Sequence, residues 1–196
     1  MSFDFKKDPF ENFIDLYKQA QIKGIPDANG MSLATVNAEK QPSVRIVLFK
    51  GIIRGGFSFF TNYDGRKAHD VEANPQVCAN FFWSHLDQQI RIEGQAEKLT
   101  REESEAYFST RPRLSQIGAW SSHQSSRLES FEDFQNKLLE IEKKFQGQAI
   151  PCPPHWGGYR IVPHEIEFWF GKPGRLHHRY VYQLNDGKWV RFLRSP

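Results

Sequence analysis

The sequence predicts a mainly β fold, an antiparallel barrel with a few flanking helices. Short stretches with the two-residue period of strands outnumber helical stretches, and they follow one another in hairpin order. Turn-forming residues separate several of them, most clearly Asn185-Asp186-Gly187 near the C-terminus. A parallel sheet would need a helix between successive strands, and most of these strands follow one another without one. We therefore expect an antiparallel sheet that closes on itself.

The length and composition favour one folded domain. The chain has 196 residues, with 39% hydrophobic and 14% aromatic residues, which argues against disorder. We expect a single domain over 1–196, with an N-terminal helix and lead-in at 1–30 and a barrel with inserted helices at 31–196. Charges near the N-terminus and the lack of long apolar runs argue against a signal peptide or a membrane span. We expect a cytoplasmic protein.

The first half of the chain contains two helix signals among its strands. Asp8-Pro9 places an N-cap acceptor before proline, and Phe10, Phe13, Ile14, Tyr17 and Ala20 follow at helical spacing. Asp64-Gly65 begins a short helix that ends near Asn74-Pro75. The predicted strands of this half lie at 32–37, 43–53, 57–61, 76–83 and 88–99, with a tight turn at Gly55-Gly56.

The second half begins with two helices on either side of a polar stretch. Thr100 and Glu103 form a capping box for a helix at 101–109, and Ser130 begins another whose stripe includes Phe134 and Leu138. The stretch at 111–127 is rich in Arg, Ser and Gln, which favours a loop. The predicted strands of this half lie at 157–162, 165–170, 178–184 and 188–193.

The charge and the absent motifs narrow the classes of function. The net charge of +3 is spread along the chain without a basic run, which suits a small phosphorylated ligand better than nucleic acid. The sequence lacks GxGxxG, Walker, HExxH, CxxC and GxSxG motifs. Adjacent histidines, His177 and His178, would face opposite ways in a strand. We therefore expect no metal site.

Two pairs of cations are candidates for anion binding. Arg45 and Lys50 bound the apolar stretch RIVLFK, and strand parity would place them on opposite faces, toward different anionic groups. Arg66 and Lys67 lie in the first turn of a predicted helix, where the helix dipole disfavours cations unless a phosphate is bound. The alternatives are an ordinary strand with charged ends and a solvated helix start.

Two further segments carry polar groups that solubility alone explains poorly. The stretch at 107–127 combines Arg, His and Ser side chains with Ile117 and Trp120. In an extended segment Arg175, His177 and Arg179 would share one face, opposite Leu176 and His178. The alternatives are a flexible surface loop and a solvated strand face.

These segments, in this order, resemble the pyridoxine/pyridoxamine 5′-phosphate oxidases over about residues 8–196. The matching motifs are RIVLFK at 45–50, FFTN and GRKAH within 59–69, YF, RPR and SQIGAW within 107–120, QSSR at 124–127, WGG and Arg160 at 156–160, IEFW at 166–169 and RLHHR at 175–179. The resemblance implies an FMN-binding split β-barrel and a homodimer with FMN in clefts between subunits. It also implies oxidation of pyridoxamine or pyridoxine 5′-phosphate to pyridoxal 5′-phosphate, with oxygen as acceptor and hydrogen peroxide as product.

The resemblance assigns roles to residues by position. The implied FMN-binding residues are Arg45, Ile46, Val47, Leu48, Phe60, Thr61, Arg66, Lys67, Gln89, Gln124, Ser125, Trp169 and Arg179. The implied substrate-phosphate residues are Lys50, Tyr107, Arg111 and Ser115. Arg175 and His177 are the implied catalytic pair, which binds the substrate ring and orients its C4′ carbon toward flavin N5. The flavin supplies the redox chemistry, and the protein supplies geometry and charge.

The sequence differs from the family pattern at two places, and two other functions are alternatives to the oxidase. His178 stands where the family has an acid, and Leu193-Arg194 reverses the family's Arg-Leu order. A non-catalytic carrier of FMN or pyridoxal phosphate would need neither the substrate-phosphate set nor the Arg175/His177 pair. A flavin reductase on the same fold would not be expected to keep the segment at 111–120. The oxidase is therefore the favoured hypothesis.

Overall fold

The computed structural model describes residues 3–196, so residues 1 and 2 of the predicted lead-in lie outside it. The helices are α1 (Pro9–Ile22), α2 (Arg66–Ala73), α3 (Arg101–Ser109), α4 (Arg113–Ser121) and α5 (Phe131–Lys144). The strands are β1 (Gly30–Val36), β2 (Pro42–Leu48), β3 (Gly51–Ile53), β4 (Gly56–Asn62), β5 (Gln76–Trp83), β6 (Gln88–Lys98), β7 (Trp156–Phe170), β8 (His178–Asn185) and β9 (Lys188–Leu193). Among these residues no helix is both long and apolar enough to cross a membrane.

The described strands form one antiparallel sheet that curls into a half-barrel, which confirms the predicted fold class. Its order is β2-β1-β5-β6-β7-β4-β3, and β8 and β9 continue from β7. The long strand β7 pairs with β6 along one edge. Its other edge is divided, because residues 156–161 pair with β4 and residues 165–170 pair with β8. A single strand therefore connects two separate regions of the sheet.

Helix α1 packs against the apolar face of this sheet. Asp8 caps the helix as predicted, since its carboxylate accepts hydrogen bonds from the amides of Phe10 at 2.8 Å and Glu11 at 3.4 Å. Phe13 is fully buried, and its ring lies 4.8 Å from that of Phe57, edge to face. Ile14, predicted on the buried stripe, is 36% exposed.

A second, smaller core joins α3, α4 and α5 to the start of β7. Its buried members include Phe108, Ile117, Phe145 and Trp156. The capping box predicted at the start of α3 is present, with Thr100 and Glu103 bonded to each other's backbone. This core determines where α3 and α4 stand relative to β4 and so positions one wall of the candidate site.

Helix α4 corrects the prediction that 111–127 is a loop. Serine and glycine make the segment a weak helix former by composition. Packing decides instead, because Ile117 and Ala119 of this helix are buried in the second core. Only the residues after Ser121 connect α4 to α5 without regular structure.

The predicted strand at 43–53 is also wrong, since it is two strands. β2 ends at Leu48 and pairs with β1, whereas β3 pairs with β4. Gly51 begins β3 with φ +131°, a conformation that a side chain would oppose. The tight turn lies at Arg54-Gly55, one residue before the predicted place, because Ile53 pairs directly with Gly56.

Strand β7 is continuous where two strands, 157–162 and 165–170, were predicted. Pro163 favours a break, because proline donates no hydrogen bond to a neighbouring strand. The sheet accommodates it with a register shift between Glu93 and Gly94 of β6. A Cβ atom at Gly94 would lie 2.2 Å from the carbonyl oxygen of Val162, so only glycine allows this close approach.

Candidate functional site

A cleft of about 520 Å³ lies beside β2 and β4, with walls from α2, α3 and α4. It brings together many residues that are far apart in the sequence. From the predicted cofactor set it contains Ile46, Val47, Leu48, Phe60, Thr61, Lys67 and Gln124. From the predicted substrate-phosphate set it contains Lys50, Tyr107, Arg111 and Ser115, which is the whole set. Two groups assigned to different ligands therefore line one cavity.

Lys67 is a buried ammonium in the first turn of α2. The Nζ atom donates to the Thr61 hydroxyl at 2.9 Å and to the Gln124 side-chain oxygen. Within residues 3–196 no carboxylate lies in salt-bridge range of it. Burial, together with the nearby charge of Arg45, lowers the pKa of Lys67 to about 8. Burial of a cation without an acidic partner is costly, which makes Lys67 a candidate for binding an anion from outside the chain.

The start of α2 offers further donors beside Lys67. Gly65 occupies the N-cap, and no side chain caps the first turn. Free backbone N–H groups at a helix start bind phosphate well. Arg66 is exposed and lines a neighbouring pocket of about 630 Å³ together with Ser125, and Gln124 borders both cavities. Arg66, Lys67, Gln124 and Ser125 therefore surround one helix terminus.

Arg45 lies apart from the main cleft. Its guanidinium donates to Thr35 and Ser43 and lies 3.5 Å from the carboxylate of Asp70. The parity argument that paired it with Lys50 on opposite faces does not apply, because β2 ends before Lys50. Lys50 reaches the cleft from the connection to β3, while the side chain of Arg45 packs between the strand and α2.

An aromatic stack forms the wall nearest Arg111. The Phe60 and Tyr107 rings are stacked with centroids 4.0 Å apart, and the Trp156 ring lies 5.5 Å from Phe60. The Arg111 guanidinium lies over Trp156 at 4.6 Å, and its Nη1 atom is buried without a hydrogen-bond partner among the described residues. Lys50 Nζ is 5.8 Å from the Tyr107 ring. Burial lowers the pKa of Arg111, yet an arginine stays charged at neutral pH.

Sequence reasoning assigned no role to Trp156, which closes this wall. It was part of the WGG motif, but its contact with Arg111 depends on β7 pairing with β4. Asn62 and Trp156 are cross-strand partners in that pairing. An isolated tryptophan before two glycines gave no signal of a cation contact.

The remaining predicted residues gather at the other end of β7. Gln89, Trp169 and Arg179 are direct cross-strand neighbours on β6, β7 and β8. The His177 ring lies 4.5 Å from Trp169, and its Nδ1 accepts a hydrogen bond from the Lys172 amide at 3.2 Å. The main cleft is lined by none of the five predicted residues Gln89, Trp169, Arg175, His177 and Arg179.

The segment at 175–179 is not extended, which corrects the parity argument for Arg175. Arg175 ends a 3-10 turn at Pro173–Arg175 and has φ +61°. The strand begins only at His178, whose partner is Phe170, on the face opposite Trp169 and Arg179. His177 and Arg179 both adjoin Trp169, whereas exposed Arg175 is placed by the turn and not by strand alternation.

The two groups do not meet within one chain. Gly157 pairs with Thr61 at the cleft, and Trp169 stands twelve residues further along the same strand. At roughly 3.3 Å per residue the two points are about 40 Å apart along the chain. A second copy of the protein is one way to bring both groups into one site.

The buried charge of Lys67 predicts a stability effect in the absence of ligand. The unfolded chain binds a proton at Lys67 up to its ordinary pKa, while the folded chain loses it near pH 8, so Lys67 opposes folding below that pH. We expect Lys67→Met to raise the free energy of unfolding at pH 7 by on the order of 2 kcal/mol. The difference in free energy of unfolding between Lys67→Met and the wild type should shrink as the pH rises toward 10, because Lys67 then loses its proton in the unfolded chain as well. Urea unfolding at both pH values measures it.

Lys50→Met is the matched control, because Lys50 is exposed at the same cleft. It should change stability by less than about 0.5 kcal/mol at either pH. A Lys67→Met protein with wild-type stability and the wild-type pH profile would mean that the ammonium is not buried as described.

Two family models match nearly the whole chain. One, described as pyridoxamine 5′-phosphate oxidase, matches residues 18–144. The other, described as the pyridoxine 5′-phosphate oxidase C-terminal dimerisation region, matches residues 156–196. A pyridoxine/pyridoxamine 5′-phosphate oxidase of Bdellovibrio bacteriovorus is 56% identical, covering 99% of this chain and all of the relative. Another from Leptospira biflexa is 48% identical and covers 96% of this chain and 89% of the relative.

Solved structures give the same result for the fold. PhzG from Burkholderia lata 383, in complex with tetrahydrophenazine-1-carboxylic acid, superposes with a TM-score of 0.94 at 27% identity and covers 100% of this chain and 98% of that one. A pyridoxamine 5′-phosphate oxidase-related, FMN-binding protein from Nostoc punctiforme has a TM-score of 0.79 at 15% identity, covering 98% and 100% of the two chains, and supports the split barrel alone. The chain belongs to the pyridoxamine 5′-phosphate oxidase family, whose members are FMN-dependent oxidoreductases.

Proposed function

We propose that this protein oxidises pyridoxamine or pyridoxine 5′-phosphate to pyridoxal 5′-phosphate, with oxygen as electron acceptor and hydrogen peroxide as product. The observation that carries the proposal is that one cleft holds cations at two separate places, none with a salt-bridge partner among the described residues. Lys67 lies at the start of α2, and Lys50 and Arg111 lie at the other place. Two phosphorylated ligands side by side, a flavin mononucleotide and a phosphorylated substrate, account for both places.

The residues around α2 fit the phosphate of FMN. Lys67 is buried, Arg66 is exposed beside it, and the uncapped helix start adds backbone N–H groups. The apolar residues Ile46 and Leu48 of β2 offer a wall for the rest of the cofactor. FMN held there would supply the redox chemistry, as acceptor of a hydride and donor of electrons to oxygen.

The residues around Arg111 fit the phosphate of the substrate. The buried Arg111 Nη1 lacks a partner, and Lys50, Tyr107 and Ser115 line the same part of the cleft. Charge-assisted hydrogen bonds to a phosphate contribute about 1.5–3 kcal/mol each. We infer that this set anchors the substrate, so that its ring lies over the cofactor and its reacting carbon is held in place.

A homodimer would complete the site. The sequence that matches the dimerisation region includes Trp169, His177 and Arg179, which lie away from the cleft of their own chain. Strand β2 stands at the sheet edge and exposes an apolar row next to the cleft, in which Val44 is 69% and Ile46 65% exposed. Such a row favours burial against a second copy. His177 and Arg175 of that copy would then orient the substrate. The cytoplasm is the location we propose with this activity.

Reaction with oxygen excluded tests the proposal directly. The protein loaded with FMN should lose its yellow colour on mixing with pyridoxamine 5′-phosphate, and admission of oxygen should restore the colour and release hydrogen peroxide. Pyridoxamine without phosphate should react at least roughly 100-fold less efficiently, because two cations lose their partner.

Other outcomes identify the other candidates. A protein that binds FMN but never bleaches with the phosphorylated amine is a carrier. One that bleaches only with a nicotinamide donor is a flavin reductase. Either result contradicts the proposed function.

Substitution of the two adjacent histidines separates catalysis from surface charge. His177→Ala should lower the rate of anaerobic bleaching on the order of 100-fold while FMN stays bound, because a small displacement of the reacting carbon is costly. His178→Ala is the matched control, since that side chain is exposed on the other face. Stopped-flow absorbance measures both rates. Greater damage in His178→Ala would contradict the assignment of His177.

Mixed dimers test whether the site is shared between subunits. Arg111→Ala and His177→Ala should each be nearly inactive alone, because each lacks one group of the site. After subunit exchange, half of the dimers contain one chain of each kind, and one of their two sites is intact. The mixture should therefore recover about one quarter of the wild-type activity. No recovery after demonstrated exchange would mean that each site is built from one chain.

A further inference from the structure

Glu167 is a buried carboxylate that the proposed site does not use directly. Its side chain is 1% exposed and lies on β7 two residues before Trp169. Three guanidinium groups contact it, those of Arg91 at 3.1 Å, Arg179 at 2.8 Å and Arg194 at 2.7 Å. A carboxylate taken out of water at this depth is stable only with such compensation.

The contact with Arg179 has a fixed geometry. Arg179 Nε donates to Glu167 Oε1 at 2.8 Å, and Nη2 donates to Oε2 at 3.0 Å, so both oxygens are engaged side by side. A third donor, Nη1, bonds the backbone oxygen of Ser195 at 2.9 Å. An arginine has five N–H donors, so two remain for a ligand. The chain thus sets the plane of the guanidinium before any ligand arrives.

The sheet places this ion pair directly behind the predicted flavin contacts. Gln89, Trp169 and Arg179 form one cross-strand row, and Arg91 and Glu167 form the next row on the same face. Residues two apart on a strand share a face and lie about 7 Å apart, which an arginine side chain spans. Arg179 therefore turns toward Glu167 while its outer edge stays beside Trp169.

Arg179, Arg194 and Arg91 together keep the carboxylate charged. Burial alone would raise the pKa of Glu167, but the hydrogen bonds from Arg179 and Arg194 and the charge of Arg91 lower it. The Arg194 guanidinium also engages both oxygens of Glu165, at 2.9 Å each. The Arg194 amide donates to the carbonyl of Arg179 at 3.0 Å, so the C-terminal residues are bonded to the same strand.

We propose that Glu167 is a positioning residue, which holds the guanidinium of Arg179 in the orientation that binds the flavin. This inference rests on the proposed role of Arg179 in FMN binding. It adds that the affinity for FMN depends on a carboxylate that never touches the cofactor. Without Glu167, Arg179 keeps its charge but loses its fixed orientation, and binding must restrict the side chain.

A double-mutant cycle on FMN affinity tests this. FMN is titrated into the apoprotein of the wild type, Glu167→Gln, Arg179→Ala and the double variant, and flavin fluorescence quenching gives the dissociation constants. We expect Arg179→Ala to weaken FMN by roughly 10–100-fold and Glu167→Gln by about 10-fold. The double variant should bind as Arg179→Ala does, because Glu167 then has nothing left to orient. If Glu167→Gln weakens FMN binding by the same factor in the Arg179→Ala background as in the wild type, the inference is overturned.

Two other variants control for damage to the fold. Glu165→Gln removes the same charge from the same strand and network but leaves both bonds to Arg179, so it should bind FMN within about 2-fold of the wild type. Glu167→Asp keeps the charge and shortens its reach, so it should fold and bind FMN more weakly than the wild type. Losses in Glu165→Gln equal to those in Glu167→Gln would overturn the inference.

These measurements distinguish failure of the inference about Glu167 from failure of the proposed oxidase function. Wild-type FMN affinity in Arg179→Ala would remove Arg179 from the flavin site, and the inference about Glu167 with it. The oxidase proposal would stand in that case if the same variant still bleached with pyridoxamine 5′-phosphate. A wild-type protein that binds FMN and never bleaches would contradict the oxidase and leave the cycle on affinity intact.

Discussion

The divided edge of β7 is the constraint on which the rest of the structure depends. One strand pairs with β4 at its start and with β8 at its end, while β6 pairs with its other edge from residue 159 to residue 170. Continuity past Pro163 requires the register shift at Gly94, where no side chain fits. Because the two ends are far apart along one stiff strand, the cleft and the Trp169 row cannot close on each other within a chain. The geometry of a single strand thus favours assembly from two copies.

We expect the unpaired cations of the cleft to lower the stability of the free protein. Lys67 is buried beside Arg45 with only a hydroxyl and an amide oxygen as partners, and Arg111 leaves one nitrogen unbonded. Acidic partners would stabilise these cations but would also compete with a phosphate. At the other end of β7 the arginine does have an acidic partner, since both oxygens of Glu167 accept hydrogen bonds from Arg179. The difference suits the two proposed tasks: a cation proposed to receive a phosphate is left unpaired, whereas one proposed to keep its orientation is paired.

The two departures from the family pattern have simple structural settings. His178 is exposed and faces away from Trp169, so the change from an acid alters surface charge and not the row itself. The order Leu193-Arg194 has a larger consequence. Leu193 is 70% exposed, while Arg194 lies over Glu165 and Glu167. Neighbouring residues of an extended chain point to opposite sides. An Arg-Leu order at positions 193 and 194 would therefore direct the guanidinium away from both carboxylates.

Local signals in the sequence were sufficient for the elements that depend on neighbouring residues. The caps at Asp8 and Thr100, the short helix that carries Lys67, and the hairpin at Asn185-Asp186-Gly187 each follow from hydrogen bonds or dihedral angles within a few residues. The motif resemblance identified the family and the residues worth locating. Helix α4, the division of 43–53 and the continuity of β7 were decided by packing and strand pairing between distant residues, which composition does not encode. The turn at Arg175 and the contacts of Trp156 and Glu167 likewise exist only once β7 lies between its partners. Local conformation depends on interactions between residues that are adjacent in the sequence, so it can be predicted from the sequence alone. The site depends on residues that are far apart in the sequence, and only strand pairing and packing bring these together.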